Sequence, residues 1–207
     1  MIGLNDLSPV RNPQQKRSKE KKDRIIKAGF ELFCEKGYHN TNTIEIAKRA
    51  GVSTGTVYSY FKDKKDIYVC AFENFLNTHL QPLLDDLANT PKPININRFV
   101  DKCIEMFRNL YTNSKQTINE LGTMQETDPE IMQYFAAYED MLLSVFVKAF
   151  DSPNVNQKNL YEKMYLLYTL ANVLGQEYAF GYHSSVNLEL LREEVTNILT
   201  TSLTRYE

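Results

Sequence analysis

Apolar residues recur along this chain at intervals of three and four, the period of a helix with one buried face. Ile25, Ile26, Gly29, Phe30, Leu32 and Phe33 set this period and predict a first helix over 19–36, ended by Gly37 in the left-handed conformation that helix exits favour. Gly29 lies inside that helix, where it costs about 1 kcal/mol against alanine, so a close helix crossing is expected there. Two segments, 43–50 and 54–61, flank Gly51-Val52-Ser53 and are too short to stand without packing on the first helix. A long helix is predicted over 64–88, bent at Pro82, and Pro91 and Pro93 make 89–93 a linker. Further helical patterns cover 96–112, 115–125, a segment capped by Asp128 with Pro129 at its first position and running to 150, then 157–182 and 187–205. Residues 1–18 have no apolar period and read as a mobile arm, with Arg11, Lys16 and Arg17 able to reach a minor groove.

Composition agrees with an all-α chain: 207 residues with 8 Gly and 7 Pro lack the turn punctuation of an all-β fold. The opening residues show no apolar run after a basic start, and no stretch reaches the roughly 18 apolar residues of a membrane span, so a soluble cytoplasmic protein is expected. Cys34, Cys70 and Cys103 are too scattered for a zinc site or a disulfide framework and read as buried thiols. Charge is the informative quantity. Residues 1–68 hold 14 Lys/Arg against 8 Asp/Glu, whereas 69–207 hold 10 against 18, a basic front and an acidic rear. Three regions follow: an arm at 1–18, a basic domain at 19–68 and a helical domain at 69–207.

The basic domain has the logic of a helix-turn-helix. Ala47 is small enough for a close crossing, Gly51 supplies the positive φ of the turn, and Ile46, Val52 and Val57 face inward. What remains outward is Ser53, Thr54, Gly55, Thr56, Tyr58, Ser59 and Tyr60, small or hydroxyl-bearing groups suited to base edges and phosphates in a major groove. Lys64 and Lys65 add phosphate contacts from the next helix.

The run Ile25-Ile26-Lys27-Ala28, Leu32-Phe33, Gly37-Tyr38, Thr41, Ile46-Ala47, Ala50-Gly51-Val52-Ser53, Gly55-Thr56-Val57-Tyr58, Tyr60-Phe61, Lys64 and Ile67 resembles the signature of the TetR family of bacterial transcriptional regulators over 23–68. The resemblance implies a three-helix DNA-binding domain followed by a helical effector-binding and dimerisation domain. It places Thr41 on a phosphate, Thr54, Gly55 and Thr56 on bases, and Tyr58, Tyr60 and Lys64 on the backbone. With Thr43, Ser53 and Lys65 these complete the expected DNA-binding set. Two positions depart from the family pattern: Thr43 stands where an apolar residue is common, and Ile44 stands where Arg or another polar residue is usual, which substitutes apolar contact with a thymine methyl for a base hydrogen bond.

Beyond residue 68 the resemblance is architectural. It implies a homodimer through the last two helices, here Leu167, Leu174, Tyr178, Leu191, Val195, Ile198 and Leu199. It also implies an effector pocket, for which Phe99, Phe107, Tyr111, Tyr134, Tyr138, Phe146, Tyr165 and Tyr168 are the candidates, lining a space for a largely apolar or aromatic molecule. The expected partners are palindromic double-stranded DNA, a second copy of the chain and an unidentified small molecule, with no cofactor, metal or membrane. The expected mechanism is a population shift in which ligand misplaces the two recognition helices and a repressor leaves its operator, with 64–88 as the coupling helix. An enzyme is disfavoured because no GxSxG, HExxH or Gly-rich phosphate loop occurs and His39, His79 and His183 lack metal spacing. A non-specific architectural DNA binder is disfavoured by the acidic rear.

Overall fold

The computed structural model describes residues 13–205, with Pro13, Gln14 and Gln125 described by backbone alone. Nine α-helices and no strand occur among the described residues: α1 (Pro13–Lys36), α2 (Thr43–Ala50), α3 (Thr54–Tyr60), α4 (Lys64–Ala88), α5 (Ile96–Asn113), α6 (Lys115–Thr127), α7 (Pro129–Ala149), α8 (Leu160–Phe180) and α9 (Leu188–Leu203). No described helix is long and apolar enough to cross a membrane.

The first helix starts at Pro13 and not at 19. The segment Pro13 to Lys22 is built from Gln, Lys, Arg, Glu and Ser, mostly strong helix formers, and Pro fits a helix's first turn. Apolar periodicity could not reveal it, because this stretch faces no core. Residues 1–12 of the expected arm, Arg11 included, lie outside the described residues.

Contacts divide the chain into two compact units, residues 1–77 with 119–127, and 78–118 with 128–207. The first therefore extends past residue 68 and takes in most of α6. Its core is Ile25, Phe33, Ile46, Val57, Ile67, Tyr68 and Leu121, all buried. Tyr68 explains why α6 joins: its ring meets Phe33 at 5.8 Å and Tyr38 at 5.4 Å, and its hydroxyl donates to the carbonyl of Leu121. The close crossing expected at Gly29 is present, since a Cβ there would lie 2.5 Å from Ile67 Cγ2.

In the second unit α5 and α8 cross at Gly175, against the backbone of Phe107, and α9 packs on both. Ile104, Phe107, Met164, Leu167, Ala171, Leu174, Val195 and Leu199 form the buried centre. Asp128 caps α7, its side chain accepting from the backbone N–H groups of Glu130 and Ile131. Arg192 of α9 pairs with Glu105 and Asp101 of α5.

Candidate nucleic-acid interface

Local chemistry defines the α2–α3 hairpin before any packing is counted. Asn42 accepts from the backbone N–H groups of Ile44 and Glu45 at 3.1 and 3.0 Å, while Glu45 accepts from the Asn42 N–H at 3.2 Å, a reciprocal cap that starts α2. Gly51, at φ 66°, ends it, and the Val52 N–H donates to the Ala47 carbonyl at 3.0 Å. Ser53 then caps α3, accepting from the Thr56 N–H at 3.1 Å. Ile46, Ala47, Ala50, Val57 and Phe61 are buried and Val52 is half-buried, which sets the angle between the two helices.

Charge pairs fasten α2 to α1. Arg49 makes a two-pronged bond to Glu35 at 2.7 and 2.8 Å and reaches Glu31 at 3.4 Å, and Lys36 meets Glu45 at 2.6 Å. Hydrogen bonds from Arg49 and Lys36 hold the Glu35 and Glu45 carboxyls below the usual glutamate range.

The outer face of α3 is hydroxyl-rich, as expected. Ser53, Gly55, Tyr58 and Ser59 are exposed, and Thr54, Thr56 and Tyr60 are half-buried. The hydroxyls are already organised: Ser53 with Thr56 at 2.9 Å, Thr43 with Tyr58 at 3.1 Å, and Ser18 with Tyr60 at 3.0 Å. Ile44 is 68% exposed on α2, an apolar side chain standing beside the Thr43–Tyr58 pair.

Two expected phosphate contacts have internal roles instead. Thr41 is 2% exposed, and its hydroxyl faces the carbonyls of Gly37 at 2.9 Å and Leu32 at 3.3 Å, pinning the end of α1. Lys64 is half-buried, donates to the carbonyls of Tyr38 at 2.6 Å and Thr41 at 2.7 Å, and lies 4.1 Å from the Tyr38 ring centre. It is the staple that ties α4 to the α1–α2 loop, and burial pulls its ammonium pKa down. Lys65 is half-buried on the same helix.

In the second unit the expected pocket residues separate into groups. Phe99 and Phe146 pack edge-on at 5.5 Å, with Phe150 at 4.6 Å from Phe99, as solid core. Phe107, Tyr111 and Tyr168 gather elsewhere, with buried Tyr138, along a polar seam. There Tyr111 donates to Asn172 at 2.6 Å and accepts from Gln176 at 3.1 Å, and Tyr168 donates to Glu139 at 2.7 Å. Burial raises the Glu139 carboxyl above its usual range. Tyr134 and Tyr165 are exposed and do not belong to this group. The missed members, Glu139, Asn172 and Gln176, gave no signal in an apolar period because they are polar residues on helices.

The expected dimer residues also need correction. Leu167, Leu174, Val195 and Leu199 are buried within the chain's own α5–α8–α9 core, Tyr178 and Leu191 are half-buried, and Ile198 is 57% exposed. Leu166, Val173 and Leu190 are exposed in their stead. An apolar stripe cannot by itself say whether its partner is another helix of the same chain or of a second copy.

Comparison with known proteins bears on the hairpin unit directly. The family described as "Bacterial regulatory proteins, tetR family" matches residues 25–69. Over that segment the chain is similar to the TetR family. Similar relatives include the HTH-type transcriptional regulator HbdR of Aromatoleum sp. (strain CIB), 39% identical over 75 residues, 36% of this chain and 33% of that protein. The fatty acid metabolism regulator protein of Bacillus subtilis (strain 168) is 38% identical over 72 residues, 35% of this chain and 37% of that protein. The match thus spans little more than a third of either relative. Solved structures extend the fold to nearly the whole chain: a putative TetR-family regulator from Mesorhizobium loti has a TM-score of 0.66 at 18% identity, covering 91% of this chain and 99% of its own. NalD, a repressor of the MexAB-OprM multidrug efflux pump in Pseudomonas aeruginosa, has a TM-score of 0.57 at 18% identity, covering 91% and 98%.

Proposed function

We propose that this protein is a sequence-specific transcriptional regulator that binds a palindromic operator as a homodimer and leaves it when a small molecule occupies the second unit. It is a cytoplasmic binding protein and not an enzyme. The observation that carries the reading is the outer face of α3, where Ser53, Gly55, Tyr58 and Ser59 are exposed on a helix whose inner side is fixed by Val57. Thr54, Thr56 and Tyr60 complete that surface, with Thr43 and Ile44 contributed by α2. An α-helix presenting hydroxyls and a bare glycine approaches base edges closely in a major groove. Repression is favoured over activation because NalD, which shares the fold, is named a repressor.

Dimerisation fits apolar pairs that repeat every two turns, Leu166 and Val173 on α8 and Leu191 and Ile198 on α9, where the chain leaves apolar surface at least partly uncovered. The effector site fits the seam of Phe107, Tyr111, Tyr138 and Tyr168, whose aromatic walls and hydroxyl and carboxyl anchors suit a flat or flexible molecule with polar ends.

Selection of bound sequences from random duplex DNA, in moderate salt with excess competitor, tests the reading. A palindrome enriched by the wild type and lost with Tyr58→Ala is expected, because Tyr58 is 55% exposed and its loss leaves the core intact. Enrichment of no sequence by the wild type overturns it.

A further inference from the structure

The front of α1 has a length and charge that packing does not explain. Core residues on this helix begin at Ile25, and every described side chain from residue 15 to 24 is exposed. Between residues 13 and 24 stand six bases, Lys16, Arg17, Lys19, Lys21, Lys22 and Arg24, against two acids, Glu20 and Asp23. The ties of this segment run to the recognition helix: Ser18 bonds Tyr60 at 3.0 Å, and the Lys22 ammonium lies 5.7 Å from the ring centre of Phe61.

Those ties orient a stripe. Arg17 and Lys21 each precede by one position a residue that touches the end of α3, so they share the flank beside it. Arg24 continues the flank at the i, i+4, i+7 spacing, and a Cβ on Gly51 would lie 3.8 Å from its guanidinium, which places that group over the turn between α2 and α3. The three bases line an open groove with Glu20 and Asp23. At 1.5 Å per residue the stripe is about 10 Å long. Duplex DNA offers one phosphate per roughly 3.4 Å of axis on each strand, so the stripe spans about three.

We propose that Arg17, Lys21 and Arg24 form a phosphate-binding strip that extends DNA contact beyond α3, with Ser18 and Tyr60 holding the strip in register. This rests on the DNA-binding reading above. Phosphate contacts carry no sequence information, so the strip strengthens binding to every duplex and leaves the preferred site unchanged.

The test uses the full chain and the duplex selected by the wild type, with dissociation constants measured from about 50 to 200 mM salt, and a random duplex alongside. Arg17→Gln/Lys21→Gln removes two contacts at about 0.9 each, so the log–log salt slope should shrink by about 1.8. Across that range the wild type should then lose roughly tenfold more affinity than the variant. Lys19→Gln removes one charge from an exposed position about 200° round α1 from Arg17, on the side away from the strip, and should leave the slope as it was. Each single variant, Arg17→Gln or Lys21→Gln, should take about half the effect, and Ser18→Ala should weaken binding with helicity by circular dichroism unchanged. A double variant with the wild-type slope overturns the strip, as does a Lys19→Gln variant that lowers the slope as much as either single strip variant. A wild type that favours no sequence over random duplex overturns the DNA-binding reading instead.

Discussion

Gly29→Ala sets two known effects against each other at one atom. In an open helix interior the change is favourable by about 1 kcal/mol. Here the new Cβ would meet Ile67 Cγ2 at 2.5 Å, with Phe33 Cε2 at 3.4 Å. Carbon atoms prefer about 3.5–4.0 Å, so the shortfall is about 1 Å or more. Ile67 is fully buried, and the atom in the way is the short arm of a β-branched side chain that does not swing aside without moving its backbone. Overpacking of this kind costs about 1–3 kcal/mol, and the depth of the clash argues for the upper half. Net destabilisation of about 1–2 kcal/mol follows. Gly122→Ala is the matched control, because no heavy atom lies within 4 Å of its Cβ position in the middle of α6, and the same change there should stabilise by up to about 1 kcal/mol. Thermal melts followed by circular dichroism read the pair. For a chain of this size each kcal/mol is worth about 2–4 °C, so the two variants should separate by at least about 2 °C and lie on opposite sides of the wild type. A Gly29→Ala protein that melts at or above the wild type would refute the reasoning, since the propensity gain would then be expressed without the clash.

Three other outcomes are expected. Lys64→Met should destabilise the first unit by about 1–3 kcal/mol, through loss of its bonds to the Tyr38 and Thr41 carbonyls, while the salt slope of DNA binding stays within a few tenths of the wild type; a slope reduced by about 0.9 would return Lys64 to the phosphates. Ile44→Ala, at a position 68% exposed, should leave stability unchanged but abolish sensitivity to replacing one thymine in one half-site by uracil, a change costing the wild type about fourfold, the worth of one buried methyl at about 0.8 kcal/mol; no thymine whose methyl matters to the wild type would exclude that contact. Glu35 and Glu45 have folded pKa values below their unfolded ones because of Arg49 and Lys36, so their contribution to stability is present above the unfolded value and lost as pH falls through the folded one. Urea midpoints should therefore fall below about pH 4, and Glu35→Gln should flatten that fall; an identical profile for the variant would show that the Arg49 pair adds nothing.

The all-α class, the hairpin and its outward hydroxyl face could be read from residue spacing, because these features are set locally. Gly51, the Asn42 and Ser53 caps and the buried triplet Ile46, Ala47 and Val57 act within a few positions of one another. Asp128 and Pro129 announce α7 in the same way. Even Gly29, a cost within its own helix, pointed to a crossing whose partner, Ile67, only the folded chain could name.

Tertiary structure decided what each side chain does with its polar end. Thr41 and Lys64 have the right chemistry for phosphate, yet carbonyls brought close by the end of α1 take their protons first. Leu167 and Leu174 lie on an apolar stripe that looks like an interface, but α5 and α9 already cover it. The union of 119–127 with the first unit depends on Tyr68 reaching Leu121, a contact between positions 53 residues apart that no local period encodes. The front of α1 is the converse case: it is helical by composition and buries no apolar face, so the proximity of Ser18 to Tyr60 and of Lys22 to Phe61 ties its charges to α3.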